Sequence, residues 1–202
     1  MSRSHPLLAL LYDPIMWIAE RRAFGRFRCE LLGNLHGEVL EIGAGTGRNF
    51  EYYPREANVL ALEPDPAMYA RAKTHVPASK AAIRLELGGD ERMHSLPPQS
   101  FDAIVFTLVL CMIDEPQKTL AHVRRLLRPG GKLVLLEHVR SHGNLGRFQD
   151  GIQPVWGRIS GGCPLNRETC KLVSGAGFDI SALRTERISA GFVRDVLVGA
   201  AM

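Results

Sequence analysis

The chain has little of what marks several function classes. Only four cysteines occur in 202 residues, Cys29, Cys111, Cys163 and Cys170. None forms a C-x-x-C pair and no two histidines have zinc spacing, so neither a structural metal nor a disulfide framework is expected, and a reduced, cytoplasmic setting fits. No long apolar run is present. The stretch "HPLLALLYDPIMWIA" is interrupted by Asp13 and two prolines and is too short to span a bilayer, and nothing reads as a signal peptide. It can still lie on a membrane surface. Repeats and low-complexity tracts are missing. Excess charge is small, a formal +4 with a pI near 9.0. Its arginines gather at Arg21, Arg22, Arg26 and Arg28 and at Arg124, Arg125 and Arg128. These read as solvated helix faces, with attraction to anionic lipid or an acidic substrate as the sharper alternative. No basic stretch is interleaved with aromatics, so nucleic acid is not expected as a partner.

What remains is an ordinary globular mix, 46% hydrophobic and 23% charged, at the length of one domain. Strand and helix patterns alternate, which predicts a parallel sheet covered on both faces. Strands are expected at Glu38–Gly43, Asn58–Asp65 and Ile83–Asp90, within Phe101–Leu110, and at Lys132–Val139. Two closing strands without a helix between them, in "FDISALRTERI" and "GFVRDVLVGAAM", predict an antiparallel hairpin. Helices are expected over Ile15–Leu32, with Met16, Ala23, Phe27 and Leu31 on one side and arginines elsewhere, from Pro66 to about Lys73, and through Leu120, Val123, Leu126 and Leu127 until Pro129-Gly130-Gly131 stops the last.

The segment "GEVLEIGAGTGRNFEYYP" carries the chemistry. Gly43, Gly45 and Gly47 directly follow a strand pattern, where backbone must bend tightly and let a ligand approach. A strand ending in glycines and opening a helix is a nucleotide-binding arrangement. The dinucleotide fingerprint G-x-G-x-x-G fails, because its sixth position is Arg48. S-adenosylmethionine is the competing ligand. It lacks a pyrophosphate and carries positive charge, so acids near the loop suit it. Glu41 precedes the glycines inside an apolar strand, an expensive place for a carboxylate without a partner. Glu63 ends the second strand and can accept both hydroxyls of a ribose. Asp65 reads as a helix cap. Asp90, in "GGDERM", can accept from an adenine amino group, with Met93 against the ring.

In "EVLEIGAGTG", "LALEPD", "GGDERMHSLPPQSFDAIVFTLVL" and "VRRLLRPGGKLVLLEHV" the chain resembles the class I S-adenosylmethionine-dependent methyltransferases. Within them it is similar to the methyltransferase-11 type, which includes ubiquinone/menaquinone and phospholipid methyltransferases. It is similar above all to the small membrane-associated thiol S-methyltransferases, through "GDERMH", "FTLVLCMI", "LEHV" and "GGCPLNRET". The resemblance implies an α/β Rossmann-like fold, a seven-stranded, mostly parallel sheet with an antiparallel last strand and helices on both faces. It implies an N-terminal helical lid or acceptor segment at 1–36 and the methyltransferase domain at 37–202, together one compact unit. Carried over residue by residue, Glu41, Gly43, Gly45 and Gly47 hold the methionine part, Glu63 holds the ribose, Asp90 with Met93 holds the adenine, and Thr107 and Leu108 lie under the sulfonium. Ala44, Asn49, Pro64, Met68 and Glu91 are expected to bind the cofactor with them. Tyr12, in "LYDPIM", matches a tyrosine that closes over the cofactor, where it would serve both binding and catalysis.

Methyl transfer mainly requires alignment of the nucleophile and exclusion of water. His138, near the end of the fifth strand, is the base candidate, the alternative being a structural hydrogen bonder. Cys111 reads as buried and inert. The segment Phe148–Arg167 is rich in turn formers yet holds Phe148, Ile152, Val155, Trp156 and Ile159, and is expected to form a loop-rich cover over a hydrophobic acceptor. Asn166 is expected to cap the helix after it. The expected acceptor is a small hydrophobic molecule, first a thiol, with a phospholipid head group or quinol as alternative. A non-catalytic S-adenosylmethionine-binding protein is the alternative of a different class. The stretch before Tyr12 is shorter than the hydrophobic anchor of the thiol enzymes, so any membrane contact is expected to be peripheral and through the N-terminal segment. The protein is expected as a monomer or homodimer.

Overall fold

The computed structural model describes residues 24–159, 164–188 and 194–202, without the side chains of 157–159. A seven-stranded sheet runs in the order β3-β2-β1-β4-β5-β7-β6. Its strands are β1 (Gly37–Ile42), β2 (Ala57–Glu63), β3 (Ala82–Leu87), β4 (Phe101–Thr107), β5 (Leu127–His138), β6 (Arg184–Arg187) and β7 (Asp195–Ala201). Strands β1 to β5 pair in parallel. β7 lies antiparallel between β5 and β6, the closing hairpin that the tail predicts. Strand order turns back on itself between β1 and β4, and in open α/β sheets ligands bind in the crevice beyond such a switch point.

Burial follows the pleat. Leu40, Ile42, Leu62, Ile104, Phe106, Leu133 and Leu135 face α3 (Pro116–Leu126), which returns Leu120, Val123 and Leu126 to them. Val39, Val59, Ala61, Ala103, Val105 and Val134 face the other way, onto Phe50, Tyr53 and Ala72. Successive residues of a strand point to opposite faces, so a central parallel strand must be apolar on both, as β4 is. α1 (Gly25–Leu32) packs Phe27, with Phe24 just before it, onto Leu136, Val196 and Val198. α2 (Pro66–His75) starts where expected, with Asp65 accepting from the Ala67 and Met68 amides and Pro66 in the first turn. The part of the predicted first helix before residue 24 lies outside the described residues.

Four local expectations are corrected. The segment after the glycines is not an α-helix. It is a run of turns closed by bonds such as Gly47 N to Ala44 O (2.9 Å) and Phe50 N to Gly47 O (3.1 Å). Gly43, Gly45 and Gly47 all have positive φ, at 71°, 59° and 84°, which a right-handed helix forbids. Phe148–Arg167 is not loop-rich: most of it belongs to α4 (Gly143–Ile159), which continues through Pro154. Two glutamines of α4 tie it to its surroundings. Gln149 Oε1 accepts from the Ser141 amide (2.8 Å) and Gln153 Oε1 from the Leu165 amide (2.7 Å), while Asp150 pairs with Arg140 at 2.7 Å. Tertiary hydrogen bonds therefore hold a helix that propensity alone does not support. Asn166 donates to Asp150 at 3.2 Å, and the residue before α5 (Thr169–Gly175) is Glu168, without a side-chain cap. Finally, Arg28 is not on the solvated side of α1 but 4% exposed.

Candidate functional site

At the carboxyl ends of β1, β2 and β4 lies a cavity of about 240 Å³. It is lined by Glu41, by the loop Gly43–Thr46 with Arg48 and Asn49, by Glu63 to Asp65 with Met68, and by Thr107–Val109 with Met112, while Arg28 closes it from α1. A larger cavity, about 510 Å³, sits at the amino ends of the strands around Asn58, Ala82 and Pro97. It holds neither the glycine loop nor a buried charge, and it is not the site.

Two buried carboxylates stand on either side of the glycine loop. Glu41 is 2% exposed. Its Oε1 accepts from Asn49 Nδ2 (2.8 Å) and its Oε2 from Tyr53 Oη (2.9 Å). Asn49 Nδ2 also donates to Thr107 Oγ1 (3.0 Å), and Asn49 Oδ1 accepts from Arg28 Nη1. One amide thus links a strand-end acid, a strand-end hydroxyl and a buried arginine. Burial pushes the Glu41 carboxyl above its usual range against the pull of Tyr53, Asn49 and Arg28, and burial also pushes the Tyr53 hydroxyl well up, so it stays a donor. Glu63 bridges the loop to its own strand end, accepting from Gly45 N (2.7 Å) and Asp65 N (2.8 Å). Burial raises its pKa from 4.5 to about 7, opposed by those two amides.

The glycines have separable roles. A Cβ on Gly43 would lie 2.6 Å from the Val109 side chain, and one on Gly47 2.9 Å from Phe50, so these two permit packing. A Cβ on Gly45 would meet nothing within 4 Å. Gly45 borders the cavity, so its missing side chain leaves room for a ligand.

The floor is set from β5. After β4 the chain passes through Leu108 at φ 58°, a strained conformation for a branched side chain. Glu137, fully buried, accepts from both Val109 N and Leu110 N at 2.8 Å, which pins the turn. Burial raises the Glu137 pKa despite these donors. A carboxylate inside β5 is the signal that could have marked this role.

Of the residues named from sequence, Glu41, Gly43, Ala44, Gly45, Asn49, Glu63, Pro64, Met68, Thr107 and Leu108 share the cavity. Gly47 does not; it borders a neighbouring hollow with His75. Asp90 and Glu91 line a separate hollow of about 280 Å³ with His94 and His122, and Asp90 Oδ2 accepts from Thr119 Oγ1 at 2.7 Å. Met93 is fully buried in the core. His138 is 7% exposed at the end of β5 and is not among the lining residues. It shares its face of the strand with Leu136, which packs on Phe24 and Phe27. Tyr12 lies outside the described residues. Sequence reasoning missed Arg28, Arg48, Tyr53, Val109 and Met112. For Arg28 a signal existed: it sits at helical spacing among Phe24, Phe27, Leu31 and Leu32, on the apolar stripe.

Among the described residues, no group of histidine, cysteine and acidic side chains could hold a metal ion, and no helix is long and apolar enough to cross a membrane.

Comparison with known proteins matches residues 40–135 to a family described as "Methyltransferase domain". Human thiol S-methyltransferase TMT1B is 39% identical over 154 residues, 74% of this chain and 62% of that protein. Human thiol S-methyltransferase TMT1A is 33% identical over 75% of this chain and 63% of its own length. The chain therefore spans about three fifths of the relatives it matches. A solved methyltransferase of Thermotoga maritima superimposes with a TM-score of 0.69 at 20% identity, over 96% of this chain and 97% of that one, a likeness of fold. Residues 40–135, about half of the chain, thus carry a methyltransferase domain of the methyltransferase-11 type, and it is seated in the central strands of this sheet.

Proposed function

We propose that the protein transfers a methyl group from S-adenosylmethionine to a small hydrophobic thiol. The observation that carries the donor assignment is the pair of buried carboxylates, Glu41 and Glu63, flanking a glycine loop with open space at Gly45. A dinucleotide would bring a pyrophosphate between two acids, onto a loop amide already bonded to Glu63. A sulfonium nucleoside brings positive charge and a ribose diol, which suit the same groups. When bound, it supplies an electrophilic methyl carbon on a charged sulfur.

The chain's own residues then bind, orient and exclude water. Glu41, held by Asn49 and Tyr53, would hold the ammonium end. Glu63 would accept from the ribose hydroxyls with the oxygens that also hold Gly45 and Asp65. The turn Thr107–Val109, pinned by Glu137, would form the floor of the donor site. The adenine end is assigned to the turn Asp90–Ser95 and Tyr12 to closure, both on resemblance. The acceptor thiol must lose its proton before or during attack, because the thiolate is the nucleophile. His138 is the base candidate for that proton on its position at the end of β5 and on resemblance, although it does not line the donor cavity. Bound in the cavity, the donor would supply the methyl carbon that the acceptor sulfur takes, and its own sulfur would leave as a neutral thioether.

The thiol assignment is supported by the two thiol S-methyltransferases that the chain is similar to across three quarters of its length. The test is formation of S-adenosylhomocysteine with an alkyl thiol, a menaquinone precursor and phosphatidylethanolamine vesicles compared side by side. Turnover with the thiol and neither of the others is expected. Turnover only with quinol or lipid would move the acceptor, and none with any, despite tight donor binding, would favour a non-catalytic protein.

A further inference from the structure

The sheet has two edges, and they are built differently. β6 is short, Arg184–Arg187, has no apolar side chain, and holds Arg184 against Glu30 of α1 at 2.7 Å. Short, charged edges resist pairing with another chain. β3 is longer, Ala82–Leu87, and among the described residues it pairs only with β2. Apolar residues alternate along it with one arginine and one glutamate. Ile83 and Leu85 are half-buried, and Leu87 is 52% exposed. Beside this edge the sheet also lacks part of its cover. The chain passes from β3 to β4 through one short turn, Asp90–Ser95, instead of an α-helix. An open hollow of about 510 Å³ is left over Leu60, Leu96, Pro97 and Phe101, next to Arg84. Parallel sheets are ordinarily covered on both faces.

The charges of β3 complement themselves. Arg84 and Glu86 are two residues apart and so point to one face. In a second copy set antiparallel, with Leu85 opposite Leu85, Arg84 of each copy faces Glu86 of the other and Ile83 of each faces Leu87 of the other. A shift by one residue sets charged against apolar side chains. A shift by two sets Arg84 against Arg84 or Glu86 against Glu86. Opposite charges and apolar pairs across strands stabilise, and like charges destabilise, so the pattern selects a single register. We propose that β3 joins two copies of this chain about a two-fold axis at Leu85, merging their sheets into one. Both copies present the same surface, as a two-fold contact requires. In the single chain the Arg84 side chain is 71% exposed and rests on its own Glu86 at 3.2 Å. In the pair it exchanges that contact for one across the strands. Because the joined strands are antiparallel, the two donor cavities lie at opposite ends of the merged sheet.

The test follows the mass of the whole protein by sedimentation velocity over a range of concentrations. Wild-type protein is expected to form a dimer. Arg84→Glu sets like charges across both pairs and weakens association at least roughly tenfold. Glu86→Arg does the same with the opposite sign. Mixed in equal amounts, the two variants associate again, because each supplies the charge that the other has lost. The double variant Arg84→Glu/Glu86→Arg dimerises as well, and it replaces the mixture should Glu86→Arg not fold alone. Wild-type protein that is monomeric at every concentration overturns the proposal. A dimer undiminished in Arg84→Glu overturns it too, since the contact then lies elsewhere. So do single variants that stay apart when mixed, or a folded double variant that stays monomeric.

Discussion

Glu63 gives the sharpest quantitative consequence. Burial raises its carboxyl from 4.5 to about 7, so without ligand the folded chain holds a proton there that the unfolded chain has lost. For an acid raised in this way, stability is greatest at low pH and is lost as pH rises from the unfolded value through the folded one. Between about pH 5.5 and 7.5 the loss from this one group is about 2 kcal/mol, or roughly 4–8 °C of melting temperature for a chain of this size. Donor binding should run the opposite way. A ribose diol donates to the carboxylate, not to the acid, so affinity for S-adenosylhomocysteine should fall roughly 20-fold over the same interval as pH is lowered. Glu63→Gln removes the titration and should flatten both slopes relative to wild type, while weakening binding at neutral pH. Melting curves and calorimetric titrations of the two proteins, subtracted at each pH, isolate the group from every other one that titrates. If the wild-type-minus-variant difference is flat in both measurements, Glu63 is not the buried ribose acceptor described here.

Gly45→Val should lose donor binding, because a side chain there enters the cavity at a φ of 59° that valine resists. Its backbone strain should cost about 1–3 kcal/mol; normal affinity would mean the loop does not approach the ligand. Glu137→Ala should lower stability by about 2–4 kcal/mol, leaving two buried amides without their acceptor, while Glu137→Gln, which keeps an oxygen, should lose much less. Equal melting temperatures for the two variants would remove Glu137 from its place as the pin of the turn. His138→Ala should slow methylation of a thiol at least roughly tenfold with little change in affinity for S-adenosylhomocysteine, and it should spare a thiol of low pKa. A uniform drop for all thiols, or none, returns His138 to packing.

The central strands and their order of appearance were legible because both of their periodicities were strong. β4 is apolar on both faces, and "EVLEIG" and "NVLALE" carry near their ends the acids that border the cavity. The lining of that cavity was legible for the same reason: glycines and carboxylates cluster within a few residues of strand ends. What failed were features that depend on distant partners. α4 reads as loop because Gly143, Gly146, Gly151 and Pro154 interrupt it, and each weakens a helix. The bonds that hold it run from the Ser141 and Leu165 amides to Gln149 and Gln153, outside any local pattern. The turns after Gly43 look helical until two further positive φ values are known. Arg28 reads with the other arginines of its run because charge runs are usually solvated, whereas its partner Asn49 is 21 residues away. Asp90 reads as a ligand acid from its position after β3, and its bond to Thr119 on α3 has no signal along the chain.

The most direct test of the account is a crystal of the protein soaked in turn with S-adenosylhomocysteine and with NAD. The account predicts the first compound in the crevice beyond β1 and β4, its ribose on Glu63 and its ammonium toward Glu41, and the second absent. An empty crevice with the first, or NAD lying across the glycine loop, would contradict it.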